Sequence, residues 1–147
     1  MKLTGGQIVV DTLAREGVPY LVGIPGPATL GLSDALLGQD RLQMLQVRHE
    51  QAAVYLADGY YRVAGLPLAV LAAMGPGALN AVSGLASCAA DAVPVLLLAG
   101  SSRARVADEG LAAEPDGCLA SLAPFAKGVW RPAGTAEVPH AMQRAFA

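Results

Sequence analysis

The chain has 147 residues, a formal net charge of -2 and a pI near 5.6. This length is typical of one domain with one core, which buries about 70% of the surface that the unfolded chain exposes. Scattered basic residues argue against the positively charged surface that a nucleic-acid partner requires. The apolar runs are strand-sized, too short for a membrane span or a signal peptide, so we expect a cytoplasmic protein with no membrane partner.

The hydrophobic fraction of 54% exceeds the roughly 45–50% of average globular proteins. Either some apolar surface is buried against partners, or the abundant alanine raises the fraction without creating apolar patches. Cys88 and Cys118 have neither close spacing nor a histidine-rich context. We therefore expect buried free thiols and no metal site in this chain.

The N-terminal part alternates a helix, a strand and a second helix. Thr4 and Gln7 have the spacing of a capping box, and the helix that they start should end at Gly17. A buried strand is predicted over 20–24, and it runs into the loop Gly23–Pro27. Pro27 is suited to the first position of the helix that follows.

Glu50 stands where a short strand pattern over 42–47 changes to a helical one. Apolar residues recur from Ala53 to Tyr61 at intervals of three and four, which places Glu50 in the first turn of a helix that ends near Gly65. A carboxylate at this position either stabilises the helix start or serves a ligand. The local pattern leaves both roles open.

The rest of the chain continues the alternation. Buried strands are predicted over 66–73 and 93–99, with Gly75-Pro76-Gly77 and a helix over 78–90 between them. A loop with one short helix over 103–122, a weak strand over 125–130 and a helix over 137–146 follow. This order predicts an α/β fold, three layers α/β/α around a mostly parallel sheet.

Ligands of such sheets bind beyond the carboxyl ends of the strands. The strand ends predicted here carry three glycine-bearing loops and Glu50. No dinucleotide or phosphate-binding glycine fingerprint occurs, which leaves a nucleotide-binding function without a motif.

Five segments carry a more specific signal: Gly23–Gly26, Arg48–Ala53, Ala57–Arg62, Gly75–Asn80 and Val93–Gly100. In letters, order and placement at strand ends they resemble the N-terminal pyrimidine-binding domain of thiamine diphosphate enzymes. The most similar group is that of acetolactate synthase, benzaldehyde lyase and related 2-oxo acid decarboxylases. The resemblance covers essentially the whole of residues 1–147, which it identifies as one such domain.

The resemblance implies that thiamine diphosphate is the cofactor and that Glu50 is the catalytic residue. Glu50 would hydrogen-bond a ring nitrogen of the pyrimidine and so activate the cofactor toward a small 2-oxo acid. Cofactor-binding roles would fall on Pro25, Gly26, Pro76 and Asn80 together with Glu50. The substrate-proximal residues would be His49 and Ser101.

Several features depart from the family pattern. A hydroxyl residue usually precedes the Gly-Pro-Gly, where this chain has Ala73-Met74. A glutamine-containing pair is replaced by Leu111-Ala112-Ala113. The first glycine loop has no histidine, which benzaldehyde lyase carries there. The substrate therefore cannot be transferred from the family. A non-catalytic binding or assembly module that keeps the fold is the alternative function.

The resemblance also implies what this sequence does not supply. No Gly-Asp-Gly with a downstream asparagine occurs, so the ligands of Mg²⁺ and of the diphosphate should come from another domain or subunit. The final strand of the domain should be missing, and the chain should be inactive without its diphosphate-binding half. Because family cofactors lie between two subunits, we expect a homodimer or a higher oligomer.

Overall fold

Four parallel strands form the centre of the structure. The computed structural model describes residues 2–73, 75–100 and 117–147. The strands are β1 (Tyr20–Gly23), β2 (Gln43–Gln46), β3 (Leu68–Ala73) and β4 (Val95–Gly100). They lie in the order β2-β1-β3-β4, and every pair is parallel, which confirms the predicted α/β class.

Seven helices surround this sheet in the described part of the chain. They are α1 (Gly5–Arg15), α2 (Leu30–Leu36), α3 (Glu50–Ala64), α4 (Pro76–Asn80), α5 (Val82–Ala90), α6 (Gly117–Leu122) and α7 (Val138–Phe146). Short 3₁₀ turns cover Pro27–Thr29, Ala123–Phe125 and Thr135–Glu137. No helix among the described residues has the length and apolarity that crossing a membrane requires.

Alternation along the buried strands divides the helices into two layers. Leu68 and Val70 face a core shared with α3, α5 and α6, whereas Ala69 and Leu71 face a core shared with α1, α2 and α7. Successive side chains of a strand point to opposite faces, so a strand covered on both faces is apolar throughout. The structure is therefore the three-layer α/β/α arrangement that the sequence predicts.

The first helix forms as the sequence predicts. The Thr4 hydroxyl oxygen accepts a hydrogen bond from the Gln7 amide at 3.2 Å, and the Thr4 amide donates to the Gln7 side chain at 2.9 Å. Gly17, just beyond the helix, has a φ of +75°, a conformation that glycine adopts without strain. The capping box and the glycine stop are both confirmed.

Both cysteines are free and buried, as predicted. Burial raises the pKa of the Cys88 thiol, and the negative charge of Asp58 adds to this effect. Cys88 is therefore a packing residue of the α5 layer.

The strand predicted over 125–130 is wrong. The Ala126 amide turns back to the Ala123 carbonyl at 3.2 Å, and residues 126–134 form no strand. The Trp130 ring lies over Gly128, where a Cβ would be 2.5 Å from the ring, and the Arg144 guanidinium lies 5.7 Å from the Trp130 ring centroid. Packing against α7 therefore replaces strand pairing.

Two further predictions concern helices. The helix predicted over 78–90 begins earlier, at Pro76, and is divided at Ala81 into α4 and α5. Of the loop with one short helix predicted over 103–122, residues 103–116 lie outside the described part, and residues 117–122 form a short helix, α6.

Helices α3 and α5 approach closely at Gly84. A Cβ at this position would lie 2.7 Å from the Val54 Cβ. At the far end of the same contact, the Arg62 guanidinium donates to Asp58 at 2.7 Å and to Asp91 at 2.5 Å. Hydrogen bonds to the two carboxylates raise the pKa of Arg62 and keep it charged, so this bridge joins α3 to the end of α5.

We expect Gly84→Ala to lower the free energy of unfolding by about 1–3 kcal/mol, because overpacking forces α3 and α5 apart. Gly59→Ala in α3 is the matched control, since in the described ranges no atom beyond its own helix turn lies within 4 Å of its Cβ position. It should stabilise the protein by about 0.5–1 kcal/mol through helix propensity. Urea unfolding measures both, and equal effects would contradict the close contact.

Candidate functional site

The carboxyl ends of all four strands meet at one edge of the sheet, because the strands are parallel. The loop after β1, the start of α3 after β2 and the Gly75–Gly77 loop after β3 all lie there. Helix α3 packs across β1 and β3. Its first residue, Glu50, thereby reaches the loop after β3.

Helix α3 begins with His49 as its N-cap. The His49 Nδ1 accepts a hydrogen bond from the Gln51 amide at 3.3 Å, and the side chain is exposed. Because His49 supplies the cap, Glu50 is the first residue inside the helix and its carboxylate is not a cap. The substrate-proximal role of His49 stays a prediction.

The Glu50 carboxylate contacts the segment that follows β3. Its Oε2 accepts a hydrogen bond from the Asn80 side-chain amide at 3.0 Å. Its Oε1 lies 2.7 Å from the point where a Cβ at position 77 would stand. The structure therefore brings together Glu50 and Asn80, both predicted site residues, and adds Gly77, which sequence reasoning missed.

The two glycines of the Gly75-Pro76-Gly77 loop meet different requirements. Gly75 has a φ of +90°, and its Cβ position lies more than 4 Å from every other described residue outside its chain neighbours, so its requirement is conformational. Gly77 has ordinary backbone angles and needs the space that Glu50 occupies. Pro76 is exposed at the first position of α4, where its missing amide hydrogen costs no helical hydrogen bond.

The loop after β1 is fixed by Thr29, a buried residue that sequence reasoning also missed. The Thr29 hydroxyl accepts from the Gly26 amide at 3.0 Å and donates to the Gly26 carbonyl at 3.1 Å. Its methyl group lies 2.5 Å from the Cβ position of Gly100, at the end of β4. The three-residue spacing from Gly26, followed by a helix, was the available sequence signal.

The other predicted residues are less closely connected. Pro25 is exposed and no atom lies within 4 Å of the Gly26 Cβ position, so within the described ranges neither is seen against Glu50. Both stand at the same sheet edge. Ser101 and the segment Leu111–Ala113 lie outside the described residues.

A second polar group lies one residue beyond Glu50. The Gln51 side-chain amide donates to the Ser83 hydroxyl at 2.5 Å, and the Tyr55 hydroxyl lies 3.4 Å from the same oxygen. These contacts join the first turns of α3 to the start of α5. They hold the backbone that carries Glu50.

The sequence pattern of one family, described as "Thiamine pyrophosphate enzyme, N-terminal TPP binding domain", matches residues 3–119. The chain belongs to this family. It is a TPP-binding N-terminal domain of the acetolactate synthase-like enzymes, as the resemblance of its five segments predicts.

Several acetolactate synthases are among its relatives. The large subunit of Haemophilus influenzae is 36% identical over 145 residues, covering 99% of this chain and 25% of the relative. The isozyme 3 large subunit of Escherichia coli is 35% identical over 144 residues, covering 98% of this chain and 25% of the relative. The mitochondrial catalytic subunit of Saccharomyces cerevisiae is 40% identical over 98 residues, covering 67% of this chain and 14% of the relative. The chain thus spans about a quarter of the two bacterial relatives.

The Glu50 environment of this TPP-binding domain fits the pyrimidine half of thiamine diphosphate. One carboxylate oxygen is engaged by Asn80, whereas within the described residues Oε1 has no hydrogen-bond partner and can serve a ring nitrogen. The missing side chain of Gly77 leaves the space that Oε1 occupies. For the metal, no group of three His, Cys, Asp or Glu residues is close enough to hold an ion in the part of the chain described.

We expect Thr29→Val to loosen the first glycine loop while preserving its shape. Losing the buried hydroxyl leaves the Gly26 amide without its partner, so the free energy of unfolding should fall by about 1–2 kcal/mol. Hydrogen exchange of the Gly26 amide should accelerate. Thr12→Val is the control, since the Thr12 hydroxyl only adds to the Ile8 carbonyl within α1, and its effect should stay below about 0.5 kcal/mol. Unchanged exchange at Gly26 would contradict the role of the Thr29 hydroxyl in fixing this loop.

Proposed function

We propose that this chain is the pyrimidine-binding half of a thiamine diphosphate-dependent 2-oxo acid decarboxylase or carboligase of the acetolactate synthase type. Glu50 is its catalytic residue, and Pro25, Gly26, Pro76 and Asn80 form the surroundings of the pyrimidine. The observation that carries this proposal is the Glu50 carboxylate, held through Oε2 at the carboxyl edge of the sheet with Oε1 available. Family membership supports the choice of ligand.

When bound, thiamine diphosphate supplies an electron sink for cleaving or forming a bond next to a carbonyl group. The contribution of this chain is to place and hold a proton. Glu50 Oε1 holds the proton that it shares with a pyrimidine ring nitrogen, and the Asn80 hydrogen bond keeps Oε2 out of that exchange. The open space at Gly77 admits the carboxylate beside the β3 loop.

The other half of the site comes from a diphosphate-binding domain or subunit. The chain spans a quarter of the bacterial acetolactate synthases that it matches, which supports a need for further protein. Mg²⁺ binds through carboxylates together with phosphate oxygens, and we assign its ligands to that partner. We expect at least a homodimer, since the family places its cofactor between subunits.

The outer face of α3 supports a partner at this position. Five exposed residues repeat at helical spacing on this face, and Val63 is 91% and Tyr55 46% accessible. The five are Ala52, Tyr55, Leu56, Gly59 and Val63. The inner face of α3 is apolar as well. A helix that is apolar on both faces is typical of burial on both sides. This outer stripe starts within one turn of Glu50, so a partner that covers it also encloses the site.

We expect Glu50→Gln to lower the rate of pyruvate decarboxylation or acetolactate formation by about 10²–10⁴-fold, because glutamine cannot exchange a proton at Oε1. The rate is measured on the chain assembled with a diphosphate-binding domain, thiamine diphosphate and Mg²⁺. A chimera in which this chain replaces the matched quarter of the Escherichia coli isozyme 3 large subunit is one source of that domain.

The control for this experiment is Glu16→Gln, the same change at an exposed residue beyond α1. It should leave the rate unchanged. A Glu50→Gln protein as fast as the parent would contradict the catalytic role. An assembled parent that neither reacts nor binds thiamine diphosphate would instead favour the non-catalytic assembly module.

We expect Ala52→Lys to weaken association with the diphosphate-binding domain by at least about 10-fold, since burying an unpaired charge is unfavourable. Leu37→Lys is the matched control, because Leu37 is 76% exposed at the end of α2, on the other layer. Sedimentation or titration calorimetry measures the affinity. Equal affinities of the two variants for the diphosphate-binding domain would mean that this domain binds at another surface. If Ala52→Lys weakens only self-association, the partner at the outer face of α3 is a second copy of this chain.

A further inference from the structure

The position of the Glu50 carboxylate is set by two residues of α4. A carboxylate oxygen can only accept hydrogen bonds, so the contact of Glu50 Oε2 at 3.0 Å must come from the NH₂ group of Asn80. Oε1 stands close to the backbone at Gly77, 2.7 Å from the Cβ position. Any side chain there would collide with the carboxylate.

We infer that Asn80 and Gly77 are positioning residues, which together fix the direction of the Glu50 carboxylate and leave Oε1 as the oxygen available to a ligand. This inference rests on the proposed role of Glu50 and changes the expected role of Asn80. The resemblance implies a direct contact between Asn80 and the cofactor. The structure instead engages the Asn80 NH₂ with Glu50, so Asn80 acts through that residue.

Asn80 and Gly77 act on the carboxylate in different ways. The Asn80 hydrogen bond limits rotation of the carboxylate about its terminal bond, because rotation would withdraw Oε2 from the NH₂ group. Gly77 makes no restraining contact. Because it has no side chain, it permits Oε1 of Glu50 to approach the backbone of α4 closely. Its replacement would push the flexible end of the Glu50 side chain aside while the backbone stays in place, since the nearest obstructing atom is Oε1.

Gly77→Ala should therefore separate stability from function. Alanine favours α4 over glycine, so the free energy of unfolding should be unchanged or slightly higher. The assembled protein should nevertheless lose about 10-fold or more in kcat/KM, because Oε1 is displaced. Gly31→Ala in α2 is the control, because its Cβ position has open space among the residues that the structure describes, and it should change neither activity nor the Glu50 contact.

The contact is tested first in the free chain by NMR of the side-chain amides. The Asn80 NH₂ signals are identified by their loss in Asn80→Asp. Glu50→Gln and Gly77→Ala should both shift them, and Glu16→Gln and Gly31→Ala should not. If neither Glu50→Gln nor Gly77→Ala shifts the Asn80 signals, the inference is overturned, and this result does not depend on any cofactor.

The functional test is a double-mutant cycle in the assembled protein with thiamine diphosphate, Mg²⁺ and pyruvate. Asn80→Asp keeps an oxygen in place but cannot donate, and it places a like charge beside Glu50, so kcat/KM should fall about 10- to 100-fold. In a Glu50→Gln background the same change should cost less than about 2-fold, because its effect passes through Glu50.

The outcomes separate this inference from the proposed function. If Asn80→Asp keeps its full effect in the Glu50→Gln background, Asn80 contacts the cofactor directly and the positioning role is overturned, while the function of Glu50 stands. If Glu50→Gln is itself fully active, the proposed function fails and the positioning role fails with it, even where the NMR contact is present.

Discussion

The parallel arrangement of the four strands is the constraint on which the site depends. Strands that run the same way end at the same edge, so loops separated by tens of residues become neighbours without any contact of their own. Glu50 follows β2, at one side of the sheet, and Asn80 follows β3, two strands away. Helix α3 bridges this distance because it packs across β1 and β3, and its start lands against the Gly75–Gly77 loop.

Small residues make that arrangement possible at each close contact. Gly84 allows α3 to approach α5, and Gly77 allows the Glu50 carboxylate to approach α4. Glycine within a helix weakens it relative to alanine. The burial of Ala53, Val54 and Ala57 offsets this cost, and the bridge from Arg62 to Asp91 joins the opposite end of α3 to α5. The helix that carries Glu50 is thus fixed at both ends.

Sequence patterns predict this fold well where hydrophobic burial decides the structure. The capping box at Thr4, the four strands and the place of Glu50 in a first turn all follow from local spacing. The strand predicted over 125–130 is wrong because the Trp130 ring packs back over Gly128, and local apolarity cannot distinguish that contact from strand pairing. The contact of Gly77 with Glu50 joins residues 27 positions apart, so it depends on tertiary structure and has no local signature. His49 as the cap was also unpredictable, since serine, threonine, aspartate and asparagine are the usual caps.

The partial exposure of Glu50 connects assembly with chemistry. In the isolated chain the carboxylate is only half-buried, and water competes for the hydrogen bond that Oε1 would make to a ligand. Electrostatic interactions and hydrogen bonds strengthen as the surrounding dielectric constant falls. Under the proposed function, a partner that covers the outer stripe of α3 removes water from the apolar surface and from the Glu50 end of the helix in one step. Binding of the partner and activation of the carboxylate then result from the same desolvation. This explains physically why exposed apolar residues lie beside Glu50.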